Sequence, residues 1–130
     1  MNTSKVLTQL MLAALFTHEL DAKTQSEWRI LYVLRSLTDE QGRSWFVAIH
    51  LPLFWALVAL THHANDHLRR ASRTYLAVFC IIHALLHWRL SGNPLSTFST
   101  PLSWGLILGA AALGGAYLGV AARAAKSHGH

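Results

Sequence analysis

Residues 104–122 read WGLILGAAALGGAYLGVAA, and they contain no charged side chain. A helix needs about 20 mostly apolar residues to cross the hydrocarbon core of a bilayer. In lipid every backbone polar group must be satisfied within the protein, which a helix achieves by itself. The stretch therefore predicts a transmembrane helix over residues 103–123.

Three further apolar runs precede this stretch and predict transmembrane helices over residues 5–22, 46–63 and 74–90. Residues 27–37 place Trp28, Leu31 and Leu34 at helical spacing, which is typical of an amphipathic helix in the membrane interface. We expect residues 124–130 to be a mobile tail. The sequence thus predicts one domain over residues 1–130, an all-α integral membrane bundle of four transmembrane helices plus a short interfacial amphipathic helix.

The composition agrees with a membrane protein, since 52% of the residues are hydrophobic and 13% are charged, against about 25% charged in a soluble domain. The formal net charge is +5. The basic residues flank apolar runs, where anionic lipid attracts them. The sequence has no basic stripe with interleaved aromatic residues, so nucleic acid is not a predicted partner. The slight excess of basic residues on one side favours both termini in the cytoplasm. Cys80 is the only cysteine, which excludes an internal disulfide and a cysteine-based zinc site.

Several histidines and acids fall inside or at the ends of these apolar runs. His83 and His87 are four residues apart and share a helix face, as do His18 and Asp21, three apart. The alternation of spans brings them and His50 toward one leaflet. Because an ionisable group facing lipid costs roughly 2.5–3.5 kcal/mol on insertion scales, such groups face the protein interior and find partners.

This set predicts an intramembrane centre for a divalent metal ion, with zinc or iron as the expected ions because imidazole and carboxylate suit both. The predicted metal ligands are His18, Asp21, His50, His83 and His87. The predicted catalytic groups are Glu19 and Glu27, either of which could act as general base. A purely structural polar network is the simplest alternative for the same residues.

A second polar cluster, formed by His62, His63, Asp66 and His67, lies at the end of an apolar run beside three arginines. A solvated, pH-sensitive face is the favoured interpretation of this cluster. The alternative is a second site at the opposite membrane surface.

The last predicted span carries Gly105, Gly109, Gly115 and Gly119, which form two pairs with four-residue spacing. Small residues at this spacing let helices approach closely in lipid. The pattern predicts close packing within the bundle or a homo-oligomer formed through this face.

Four short motifs carry a resemblance. They are His18-Glu19-Leu20-Asp21-Ala22, Glu27-Trp28-Arg29, His50-Leu51-Pro52-Leu53-Phe54 and His83-Ala84-Leu85-Leu86-His87. Together they resemble a family of small, uncharacterised bacterial integral membrane proteins, and they are similar to the HXXEE-type membrane proteins, which also carry a later HxxxH. Here the acids after His18 are Glu19 and Asp21 rather than a Glu-Glu pair. The resemblance implies intramembrane metal binding with no settled reaction, in a bacterial inner membrane.

The function predicted is therefore that of a metal-dependent membrane enzyme, a hydrolase or an oxidase, acting on a lipid-like or apolar substrate. Three alternatives stay open. They are a haem or electron-transfer protein, a proton or metal transport module, and a structural membrane partner protein. Membrane lipids are the expected surroundings in each case.

Overall fold

The computed structural model describes residues 2–127, and these form four α-helices and no strand. The helices are α1 (Thr3–Thr24), α2 (Asp39–Thr61), α3 (Asp66–Leu90) and α4 (Pro101–Ser127), with a single 3₁₀ turn at Glu27–Arg29 between α1 and α2. The prediction of an all-α protein with four long helices is confirmed.

The centre of the bundle is made by α1, α3 and α4, because α4 packs along both of the others. Two clusters of buried apolar side chains fill it. One lies among α1, α3 and α4 and includes Met11, Leu15, Leu76, Cys80 and Tyr117. The other, formed by Ala22, Trp28, Phe46, Ala84, Phe98 and Ile107, adds α2 and the connecting segments.

The buried residues of α2 lie near its two ends. They are Gly42 and Phe46 near the start and Thr61 at the end. The last of these is tied to α3, since the Nε atom of Arg73 donates a 2.8 Å hydrogen bond to the Thr61 carbonyl. The middle of α2, around Pro52, is exposed on its outer side.

By length and composition, α2 and α4 could each cross a membrane, which is two helices rather than the four spans predicted. The helices α1 and α3 are long enough but less apolar, and they carry most of the buried polar residues of the four helices, His18, Arg73 and His87 among them. Two such helices are weak evidence for a membrane location on their own.

The predicted interfacial helix over residues 27–37 is wrong. One 3₁₀ turn is followed by successive turns as far as Leu37. The predicted start of the next helix at residue 46 is also too late, because a capping box between Thr38 and Gln41 begins α2 at Asp39. Helix α3 likewise begins at Asp66, where the side chain of Asn65 caps it.

At the other end of the chain, the predicted tail over 124–130 is helical as far as Ser127. Residues 128–130 lie outside the described residues.

A close contact between α3 and α4 is made by Gly114, which is not one of the four glycines of the predicted packing pattern. A Cβ atom on Gly114 would lie 2.6 Å from the Ala77 carbonyl oxygen, so α3 and α4 touch there at backbone distance. The four glycines of the predicted packing pattern are in open space, with nothing within 4 Å of a Cβ placed on them; they are Gly105, Gly109, Gly115 and Gly119.

Candidate metal centre

Three imidazoles from α1 and α3 converge on one point. The Nε2 atom of His83 lies 2.9 Å from that of His18 and 3.2 Å from that of His87. Ligand atoms of the three residues all lie within 4.8 Å of one another. A tetrahedral ion with metal–nitrogen distances near 2.0–2.1 Å separates its ligands by about 3.3 Å. The two separations from His83 are thus close to the spacing of neighbouring ligands on one ion.

The local sequence explains why these rings meet. His83 and His87 are one turn apart on α3, and His18 lies on the buried face of α1. Phe98, from the segment before α4, packs against two of the rings, with centroids 5.6 Å from His18 and 4.6 Å from His87. This aromatic cover leaves His18 and His87 buried, whereas His83 stays partly exposed.

Glu27 reaches the same point from the 3₁₀ turn. Its Oε1 atom lies 3.6 Å from the Nε2 atom of His87. The chain turns back there through Ser26, which has a left-handed backbone with φ of 58°. Burial raises the pKa of Glu27 from 4.5 to about 8, and the nearby charge of Glu19 adds to this while His50 opposes it.

Two buried polar atoms at the centre have no hydrogen-bond partner among the described residues. They are Nδ1 of His18 and Oε2 of Glu27. Buried polar groups are normally satisfied, and an exception calls for an explanation such as a bound ion or water. The centre is therefore incomplete as a purely structural network of side chains.

Asp39 holds the segment that carries Glu27. Its carboxylate accepts hydrogen bonds from Nε1 of Trp28 at 2.9 Å and from Nε and Nη2 of Arg29 at 2.8 and 2.9 Å. One turn further along α2, a Cβ atom on Gly42 would lie 2.8 Å from the Trp28 ring. The start of α2 and the Glu27–Arg29 turn thus form one packed unit.

His50, predicted as a metal ligand, is placed against Glu19 instead. Its Nδ1 atom faces the Phe46 carbonyl oxygen and its Nε2 atom lies 2.9 Å from Oε2 of Glu19. A ring that donates from Nδ1 to a carbonyl has an unprotonated Nε2 when neutral. The contact with Glu19 is therefore a hydrogen bond to the carboxylate in the doubly protonated form of the ring.

Asp21, also predicted as a ligand, turns toward α4. Its Oδ2 atom accepts a 2.6 Å hydrogen bond from the Ser103 hydroxyl, and Ser103 is fully buried. A carboxylate beside the first turn of a helix is favourable because of the helix dipole. The contact joins the end of α1 to the start of α4.

The second polar cluster lies at the turn between α2 and α3 and is exposed. His62 contacts the Val58 carbonyl and His63 accepts from the backbone N–H of Asn65, while Asp66 pairs with Arg69. Within residues 2–127, the one group of at least three potential metal-binding side chains is His18, His83 and His87.

Sequence reasoning missed Phe98 and Asp39. Phe98 comes from a loop, and no pattern indicates that this loop covers two histidines. Asp39 had a usable signal, because Thr38 and Gln41 have the spacing of a capping box and place Asp39 in the first turn of α2.

No curated protein and no solved structure matches this chain. One family of unknown function matches residues 4–124, which include every residue of the centre. The expectation of an uncharacterised family is confirmed at that level, and the chain belongs to DUF6713.

Proposed function

We propose that this protein is a metal-dependent enzyme of the membrane, with one zinc or iron ion held by His18, His83 and His87. The observation that carries the proposal is the convergence of three imidazoles inside an apolar bundle, with ligand atoms within 4.8 Å of one another. Three imidazoles with a fourth position left open are a common arrangement for a catalytic zinc ion.

A bilayer around the whole bundle is the second part of the proposal. Large apolar side chains point outward from α2 and α3 alike, for example Leu51 (79% exposed), Trp55 (73%) and Tyr75 (76%). In water such an apolar surface favours association, whereas in lipid it is the normal outer surface. His18, His83 and His87 face the interior of the bundle, as ionisable groups in a membrane do.

Glu27 would occupy the region beside the open position. An ion at the centre would supply polarisation of a substrate oxygen or activation of water. With its Oε2 atom free of any partner among the described residues, Glu27 has an oxygen available to orient that water and, in its ionised form, to take its proton. The Glu19–His50 pair is the neighbouring group that can exchange the proton.

Hydrolysis of a lipid-like substrate fits these residues better than oxidation by an iron pair. A di-iron site uses several carboxylates. Here Glu19 is engaged by His50 and Asp21 by Ser103, which leaves Glu27 at the histidines. Haem is also less suitable, because the Nε2 atom of His83 lies 2.9 Å from that of His18 and 3.2 Å from that of His87, closer than two axial nitrogens on opposite sides of one iron would be.

Metal analysis by plasma mass spectrometry tests the proposal on protein purified in detergent without chelator. Residues 128–130 are deleted, since they add two histidines. We expect about one equivalent of zinc or iron, lost in His83→Ala/His87→Ala and kept in the control His62→Ala/His63→Ala, which alters the exposed pair. Folded protein without metal, or metal lost equally from both variants, would contradict the proposal.

A further inference from the structure

An open cleft runs between α1 and α2 beside the Glu19–His50 pair. Its volume is about 510 Å³, within the range of small-molecule sites. Most of the residues that line the cleft are apolar. Three of these residues, Leu20, Val47 and Leu51, are exposed on the outer face of the bundle. The cleft therefore opens sideways, in the direction in which lipid would lie.

One cation lines this cleft. Lys23 is exposed at the end of α1, one helical turn beyond Glu19, and it forms no ion pair within the described part of the chain. Four residues along a helix rise about 6 Å. If a bound molecule placed an anionic group on Lys23, the next few atoms of that molecule would thus lie beside Glu19 and His50.

Charge complementarity selects the occupant. The negative charge in the cleft is that of Glu19, which His50 contacts at 2.9 Å, so Lys23 stays available for an anion. Deeper in, Phe54 closes the cleft with its ring stacked on Phe16 at a centroid distance of 4.0 Å. One polar cationic end followed by an apolar channel matches a molecule with one anionic head and one hydrocarbon chain.

We propose that this cleft binds a single-chain anionic amphiphile, with its head on Lys23 and its chain running past Glu19 and His50 toward Phe54. The proposal rests on the proposed function where it names this amphiphile as the substrate class, but binding in the cleft does not require the metal. The amphiphile enters sideways, between Leu20 and Leu51.

Photolabelling with palmitate that carries a diazirine in its chain tests the site, with the corresponding fatty alcohol as the uncharged probe. In full-length protein we expect both probes to label the segments around Leu20 and Leu51. Lys23→Gln should weaken palmitate binding about tenfold, the worth of one charge-assisted hydrogen bond, and leave the alcohol unchanged. The control Arg89→Gln, which alters the cation of a different cleft, should change neither.

A second variant, Leu51→Trp, fills the cleft from its exposed side and should abolish labelling by both probes while the metal content stays the same. Labelling outside the α1–α2 cleft, or equal effects of Lys23→Gln on both probes, would overturn the proposal. His83→Ala/His87→Ala separates the two ideas. We expect this variant to lose the metal and to keep palmitate binding. If the parent protein contains no metal but is still labelled, the metal centre is refuted and the cleft is not.

Discussion

The Nε2 atoms of His18 and His83 lie 2.9 Å apart although the two residues are 65 positions apart in the chain. The two residues lie on different helices, α1 and α3, and the packing of the bundle brings them together. A contact of this kind between two imidazoles requires a shared proton or a shared ion. The predictions below separate these two cases and test the contacts around them.

Metal removal should destabilise the folded protein. A ligand that binds only the folded state raises stability according to its concentration and dissociation constant. A chelator is therefore expected to lower the thermal midpoint of the parent protein and to have no effect on His83→Ala/His87→Ala. The midpoint is measured by circular dichroism in one detergent. Equal responses of both proteins would mean that the chelator acts elsewhere.

The Glu27 carboxyl should make the metal-free protein less stable as pH rises. Its pKa in the fold, about 8, lies above the ordinary value of 4.5, so the folded state holds the proton more tightly. Its contribution is complete below pH 4.5 and is lost as pH rises toward 8, at no more than about 1.4 kcal/mol per pH unit.

The Glu27→Gln variant is the matched control for this pH effect. We expect the stability of the parent to fall relative to that of the variant between pH 5 and 8, with chelator present throughout. The same variant should keep the metal, because Glu27 is assigned as a base rather than a ligand, and should lose activity on lipid-like esters. Parallel pH curves would show that Glu27 is ionised in the fold, and loss of the metal would make it a ligand.

Asp21→Asn distinguishes a structural carboxylate from a metal ligand. The Asp21–Ser103 contact joins α1 to the first turn of α4, so removing the charge should cost about 1 kcal/mol of stability. The metal content should not change. Both are measured on the same preparation, by thermal unfolding and by plasma mass spectrometry. A proportional loss of metal would return Asp21 to the ligand set.

Two adjacent glycines in α4 should respond in opposite ways to alanine. Gly114→Ala forces a methyl group against the Ala77 carbonyl and should cost roughly 1–3 kcal/mol. Gly115→Ala meets nothing within 4 Å and should be neutral or stabilising by up to about 1 kcal/mol, because alanine favours helices. Thermal midpoints in one detergent decide the point, and similar shifts for both would place the α3–α4 contact elsewhere.

The sequence predicts the four long helices and the pairing of His83 with His87, because both follow from apolar length and from helical spacing. It does not predict the partners of His50 and Asp21. Their depth along the bundle is readable from the alternation of helices, but the rotation of each helix about its axis is not. That rotation directs His50 to Glu19 and Asp21 to Ser103.

The segment 27–37 shows how tertiary contacts override a local pattern. Its apolar residues have helical spacing, yet a helix of about 11 residues is marginal in isolation. The hydrogen bonds from Trp28 and Arg29 to Asp39, together with the left-handed backbone of Ser26, hold an irregular path instead. This irregular path brings Glu27 to His87 on α3. No pattern within the segment predicts that contact.

Asp39 belongs to two systems at once, being the first residue of α2 and the acceptor that fixes the Glu27 turn. Because Asp39 is bonded to both Trp28 and Arg29, a displacement of the first turn of α2 would carry the Glu27 turn with it. The distance between Glu27 and the histidines would therefore change with the position of the first turn of α2.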